Sequence, residues 1–403
     1  MKVGIVSPYP IKDSTHVNEG GVIAYTKNLA QGLSQWSDVT VFCEKNDESP
    51  PSYSDSQVRV IRCWRRGPSY PFYIWFKCFR SKFDIFHVQH EYFLYGGFLS
   101  AIIFPLLLLF LNLSAPVIVT IHGVISKQNV SKLSDSNKLL NQIKLSILKT
   151  NLRLIDLFSS KLIVHDRFIK DVLIEEYTLK SDKIDIIPHG IEEVNPIEEE
   201  LAKQKLGISS SKIILFFGYL TQRKGLEILL DAFEKTINEI RDTKLIVGAG
   251  ENPRLKHDKE YQKYYQRMKL KAKSGRGTHF VGFIPEDKLS IYISAADIII
   301  FPYSVALAAS GALNLALAFN KLVLCSDIKP FRDLIKIPTM LFRTDDVEDL
   351  HEKLLNLLKL PPKDIESLKF TLKNLKDEYS WSNMSRKTFD VYLTIANSRI
   401  KQK

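Results

Sequence analysis

Cysteine is scarce. The 403 residues hold four, Cys43, Cys63, Cys78 and Cys325, and none stands in a Cys-x-x-Cys pair or at a metal-ligand spacing from histidine. A disulfide scaffold and a zinc framework are therefore not expected, and the thiols read as the reduced thiols of a cytosolic protein. Long apolar runs are scarce too. The candidate at 98–111 contains Ser100 and Pro105 and stops at Asn112. It falls short of the roughly 20 residues that cross a bilayer, so a buried or interfacial helix is expected ahead of a span. A signal peptide is not expected, because residues 2–6 already read as a buried first strand. No carboxylate pair of glycosidase type stands out.

The charge is one-sided. The net charge is +11 and the pI about 9.2, which favours anionic partners: nucleotide diphosphates, lipid headgroups or nucleic acid. Acidic residues are missing from 62–83, which carries Arg62, Arg65, Arg66, Lys77, Arg80 and Lys82 among Trp64, Tyr70, Phe72, Tyr73, Trp75, Phe76, Phe79 and Phe83. Cations mixed with rings suit an anionic membrane surface. An aromatic core helix with a solvated basic face explains the stretch equally well. Single-stranded nucleic acid suits it less, since no nucleic-acid motif accompanies it.

The length suggests two domains. Residues 213–232 organise the second. An apolar, β-branched run at 213–217 reads as a buried strand that Gly218 ends. A short loop carries Gln222, Arg223 and Lys224. Gly225 opens a helix whose Leu226, Leu229, Leu230 and Phe233 form one apolar stripe. Such a turn aims free backbone N–H groups and the positive end of a helix dipole at one spot, beside two cations. That arrangement suits a diphosphate; an ordinary strand-to-helix turn with a solvated Arg-Lys pair is the plainer explanation.

In chain order, a strand at 3–6 leads through a loop to Gly20-Gly21, where backbone can approach a ligand closely, and a helix follows at 22–35. Strands are expected at 39–42 and 58–62, then at 84–88, running on to His87-Val88-Gln89-His90-Glu91, and at 116–121, ending in His122-Gly123. As neighbouring parallel strands these would bring His90 and His122 to one C-terminal edge, where open α/β sheets bind ligands. Alternation puts His87 and His90 on opposite faces, which argues against a metal site with Glu91. A helix is expected at 134–158, a strand at 161–165, a helix at 166–176 and a strand at 184–187. Pro188-His189-Gly190 breaks the pattern and an acidic loop follows at 192–200. Strands at 213–217, 244–247, 279–281, 298–301 and 322–325 then alternate with helices. A basic helix at 254–276 reads as a solvated face. The expected fold is α/β: two doubly wound parallel-sheet domains in tandem, facing a cleft.

The order of short motifs resembles the family 4 (group 1) glycosyltransferases of the GT-B fold over nearly the whole chain. The family's first-strand glycine loop matches Gly20-Gly21, its Asp-x-x-His strand Asp84 to His87, its Thr-x-His Thr120-Ile121-His122, and its hinge Ile187-Pro188-His189-Gly190. Its nucleotide loop matches Phe217 to Gly225, its Gly-x-Gly Gly248-Ala249-Gly250, and its Tyr-x-x-Ala-Asp segment Tyr292 to Tyr303. Tyr379-Ser380-Trp381 resembles the start of the helix that in this fold crosses back to the first domain. His87 to Glu91, followed by Gly96-Gly97, is similar to a subgroup signature.

Two departures stand out. Tyr219 occupies a position where arginine is frequent. Leu307 and Leu315 stand where a Glu-x7-Glu pair would contact donor sugar and ribose, and Ala309-Ser310-Gly311-Ala312-Leu313 resembles a variant without it.

The resemblance implies three parts: an acceptor domain, 1–190; a nucleotide-sugar domain, 191–378; and a crossing helix, 379–403. It implies transfer from a UDP- or GDP-linked sugar with retention, no metal and no cofactor, and a leaving diphosphate that helps deprotonate the acceptor. His122 would hydrogen-bond the sugar, while Arg223 and Lys224 would offset diphosphate charge. Gly20, Gly21, Gly218 and Gly250 would approach the donor. Phe283 and Ile284 would contact the base. Ser310 would cap a helix whose Gly311 and Ala312 amides take phosphate. His90 and Glu91 would lie on the acceptor side. The basic aromatic stretch and the 98–111 run point to a membrane-borne acceptor and a peripheral place on the inner face of the membrane. The alternatives are a soluble acceptor and a catalytically inactive scaffold that binds a lipid or partner.

Overall fold

The computed structural model describes residues 1–12, 21–126, 138–208, 212–253, 255–305 and 310–400. Two units divide the chain: Met1–Gly190 with Trp381–Lys403, and Ile191–Ala306 with Ser310–Ser380.

Strand β1 (Lys2–Val6) is the centre of the first unit. It pairs in parallel with β2 (Asp38–Glu44) and with β5 (Ile85–His90). The sheet continues with β3 (Ser52–Asp55), β4 (Val58–Trp64), β6 (Val117–Ile121), β7 (Lys161–Val164) and β8 (Ile184–Ile186). The eight strands lie in the order β3-β4-β2-β1-β5-β6-β7-β8. All pairs are parallel except β3 with β4. β5 and β6 are buried along their whole length, as strands covered on both faces must be. Helix Gly21–Leu33 covers one face and receives helix Trp381–Ile400 so closely that a side chain on Gly32 would run into Ser385.

The second sheet has six strands, all parallel, in the order β11-β10-β9-β12-β13-β14. They are β9 (Lys212–Tyr219), β10 (Thr243–Gly250), β11 (Thr278–Phe280), β12 (Ile298–Phe301), β13 (Leu322–Ser326) and β14 (Leu341–Phe342). The stripe Leu226, Leu229, Leu230 and Phe233 is buried on helix Leu226–Glu239.

Several expectations are corrected. β9 runs through Gly218 to Tyr219 instead of ending at the glycine. The basic helix is shorter, Lys259–Ser274. The apolar run 98–111 is two helices, Phe98–Ile102 and Phe104–Asn112, parted at Ile103 just before Pro105. Phe104, Leu107, Leu108 and Leu111 enter the first unit's core. Among the described residues no helix is long and apolar enough to cross a membrane.

Arg62 does not face solvent. The residue is 4% exposed, and its two terminal guanidinium nitrogens donate to the carbonyls of Glu44 and Pro10 and to the Tyr53 hydroxyl, while Nε is buried without a partner. It serves as a core tie because a buried guanidinium must spend its donors on acceptors. Trp64 and Tyr70 are likewise fully buried, and Phe83 packs against the core. The helix expected from 134 is described from Lys138, and Gly20 lies outside the described residues. All four cysteines are free and buried.

Candidate functional site

In the second unit the chemistry gathers where β9 turns into its helix. The turn consists of Gln222–Lys224, one 3-10 turn, closed by Gly225 at φ +67. A side chain on Gly225 would run into the carbonyl of Pro302. The position therefore needs glycine twice, for its left-handed backbone and for the closeness of the segment after β12. That segment is tied to the turn by Ser304 N–H donating to the Arg223 carbonyl at 2.9 Å. Gly218 has φ +112, and a Cβ there would lie 2.8 Å from Lys224 Nζ. The Lys224 ammonium thus lies directly over backbone, and also 5.5 Å from the centre of the Tyr303 ring, a cation–π arrangement. Arg223 is half-buried beside it.

The loop after β11 packs on the end of β10. Ile284 fills the space that a side chain on Gly248 would need and is 5% exposed, so its contact is with the strand. Phe283 lies over Gly250, 2.6 Å from where a Cβ would stand, and is half exposed. Its ring stacks on Tyr219 with centroids 5.3 Å apart and planes 12° apart. Tyr219, at a position where arginine is frequent, thus places a ring and not a cation beside the turn. Ser310 caps helix Gly311–Ala318, its hydroxyl accepting from Leu313 N–H at 3.3 Å. The amides of Gly311 and Ala312 belong to the first turn, whose N–H groups have no partner within the helix. Leu315 is half-buried in this helix; Leu307 lies outside the described residues.

In the first unit, β5 and β6 pair with Gln89 opposite Thr120 and His90 opposite Ile121, and His122 N–H donates to the His90 carbonyl. Around this edge lies a cluster of buried rings. His122 Nε2 is 2.9 Å from the Gln89 side-chain oxygen, and its Nδ1 is 3.1 Å from His165 Nε2. His165 Nδ1 reaches the Ile187 carbonyl at 3.1 Å. Tyr25 meets His122 edge-on at 4.7 Å and contacts His165, His189 and Trp381. On the same face of β5, two residues before Gln89, His87 bonds Tyr392 and Thr120 hydroxyls at 2.6 and 2.7 Å. His90 is 4% exposed, its ring against Phe104 and Tyr92; Glu91 is half-buried after it. Gly21 opens its helix with open space at its Cβ position.

Burial keeps these imidazoles neutral by penalising the charged form. It pushes His87 and His165 down to about 3, His90 down to about 4, and His122 well below the ordinary histidine value. Sequence reasoning missed His165 and Gln89. The signal was available in principle: Gln89 stands one residue before the end of β5 and His165 one residue past the end of β7, the strands on either side of β6. Among the described residues no group of three or more His, Cys, Asp or Glu side chains is arranged to hold a metal.

Two family models match in tandem: "Glycosyltransferase Family 4" over residues 19–194 and "Glycosyl transferases group 1" over 198–370. The chain belongs to the group 1, family 4 glycosyltransferases. An uncharacterized glycosyltransferase of Methanocaldococcus jannaschii is 24% identical over 58% of this chain, a match that spans 60% of that protein. Solved structures share the fold. Sucrose-phosphate synthase from Thermosynechococcus elongatus has a TM-score of 0.73 at 18% identity, over 99% of this chain and 100% of that one. The Anabaena protein HepE, crystallised with UDP-glucose, has a TM-score of 0.67 at 13% identity, over 98% and 100%. This glycosyltransferase therefore has two parallel-sheet α/β units of GT-B type.

Proposed function

We propose that this glycosyltransferase moves a sugar, with retention, from a nucleotide-diphosphate sugar to a lipid-linked or glycan acceptor at an anionic membrane surface. The turn from Gly218 to Gly225 carries the reading. It combines a glycine-exposed backbone, a helix start and the ammonium of Lys224, the chemistry that binds a diphosphate and stabilises it as it leaves. UDP-glucose bound to the HepE neighbour supports a UDP-linked donor as the first to assay. Lys224→Ala should lower turnover more than tenfold, since losing a charge-assisted contact costs roughly 1.5–3 kcal/mol. Assay with a panel of UDP- and GDP-linked sugars measures this. Equal rates for variant and wild type would remove the turn from the site.

The membrane reading rests on a smaller surface than the sequence suggested. On helix Tyr70–Cys78 and just beyond, Phe72, Tyr73, Phe76 and Phe79 are about half exposed or more, beside exposed Lys77, Arg80 and Lys82. Phe72 and Trp75 meet Phe110 of the neighbouring helix at 5.6 and 5.5 Å. Rings and cations on one surface match anionic headgroups over a wet apolar boundary. Wild type should sediment with anionic vesicles at low salt, and serine at Lys77, Arg80 and Lys82 should abolish this without unfolding. Indifference of wild type to anionic vesicles would leave a soluble acceptor. A second reading, an inactive scaffold, is favoured by Leu315, an apolar side chain at a position where the family carries a glutamate. Turnover of any donor in the panel excludes it.

A further inference from the structure

The ring nitrogens of the first unit's cluster have partners that fix where each hydrogen lies. A backbone carbonyl only accepts, so His165 Nδ1, 3.1 Å from the Ile187 oxygen, carries the hydrogen. A neutral ring then leaves His165 Nε2 with a lone pair. The nitrogen facing it at 3.1 Å, His122 Nδ1, must donate. His122 is neutral too, so its Nε2 accepts. The Gln89 amide oxygen lies 2.9 Å from that nitrogen, which would set two lone pairs against each other. The amide nitrogen meanwhile is buried without a partner. A half-turn of the amide removes both faults. Hydrogen bonds then run one way, from Gln89 to His122 to His165 to the Ile187 carbonyl. His87 makes the contrast: both its partners are hydroxyls, which can give or take, so nothing fixes its tautomer.

We propose that His165 is a positioning residue that holds His122 as the Nδ1-protonated tautomer, so that the Nε2 edge of His122 can only accept and reads a hydroxyl hydrogen. Within the fold Gln89 fills the single Nε2 lone pair, so a ligand hydroxyl reaches it by taking the place of the Gln89 amide. A sugar hydroxyl is the matching ligand group, and this last step rests on the donor-sugar reading of His122. A hydroxyl replaced by fluorine or methoxy offers no hydrogen and gains nothing from such an edge.

The test is the imidazole nitrogen–proton correlation spectrum of the whole chain labelled at histidine with nitrogen-15, with His122 assigned from His122→Gln. Wild type should show a protonated Nδ1 and a lone-pair Nε2 on His122. His165→Phe, which removes the acceptor and keeps the bulk, should move His122 toward the other tautomer. His165→Gln, whose amide oxygen can accept, should restore it. With UDP-glucose, His165→Phe should lower kcat about tenfold, the worth of one hydrogen bond, with KM unchanged, and His165→Gln should recover most of it. A wild-type His122 protonated at Nε2 overturns the proposal. So does a His122 spectrum unmoved by His165→Phe in a folded variant. A tautomer that shifts as expected while kcat stays constant retains the hydrogen-bond chain but removes the sugar from it; the Lys224→Ala assay judges the donor turn separately.

Discussion

The two candidate regions are built by opposite means. The edge of β5, β6 and β7 is side-chain chemistry: rings buried and neutral, with His87, His122 and His165 each held by a named hydrogen bond. The turn after β9 is backbone chemistry: glycines let chain approach chain, and the cations stay in partial contact with solvent. A region built from neutral buried rings is sensitive to protons. A region built from close backbone is sensitive to a single methyl group.

Acid should separate them most. The folded values of His87, His165 and His90 lie below the unfolded value of about 6.5, so the unfolded chain binds more protons below that pH. The stability these rings contribute is complete above pH 6.5 and lost progressively toward pH 3–4. The slope is about 1.4 kcal/mol per pH unit for each ring, or roughly 2 kcal/mol each at pH 5. Hydrogen exchange at pH 7 and pH 5 should show the first unit opening and the second holding. Equal loss of protection in both would break the comparison.

Next comes Gly225→Ala. The left-handed backbone alone costs about 1–3 kcal/mol, and the collision with Pro302 adds to it. The melting temperature should fall and donor turnover should vanish, while nitrogen-15 histidine signals of the first unit stay in place. A variant with wild-type stability would mean that the segment after β12 yields freely. The smallest effect is expected at Tyr219. Losing its stack on Phe283 removes about 0.5–1.5 kcal/mol, so Tyr219→Ala should weaken UDP binding up to about tenfold in calorimetry if the stacked pair supports a base. Unchanged affinity would assign the stack to loop packing alone.

Much of this was legible in the sequence because it depends on local pattern. The alternation of strands and helices, the apolar stripe of Leu226 to Phe233 and the glycine turn follow from periodicity and backbone chemistry. What stayed hidden depends on partners far away in the chain. Arg62 reads as a surface cation until Glu44, Tyr53 and Pro10 surround it. Likewise the packing of Ile284 on Gly248 comes into view only in the folded chain. The apolar run at 98–111 has the composition of an inserting segment, and only the core around Phe104 and Leu108 shows where its apolar face goes. His165 carries no motif; its part comes from the register that sets β7 beside β6.

The buried thiols have a practical consequence. Burial pushes Cys43 and Cys63 up to about 12 and raises Cys78 and Cys325 as well, so in the folded chain none is a ready nucleophile. An alkylating reagent can reach them only when the surrounding structure opens. Cys43, Cys63 and Cys78 belong to the first unit and Cys325 to the second. The native sequence therefore contains its own clock for each half, and the mass of the tagged peptides tells which half opened first.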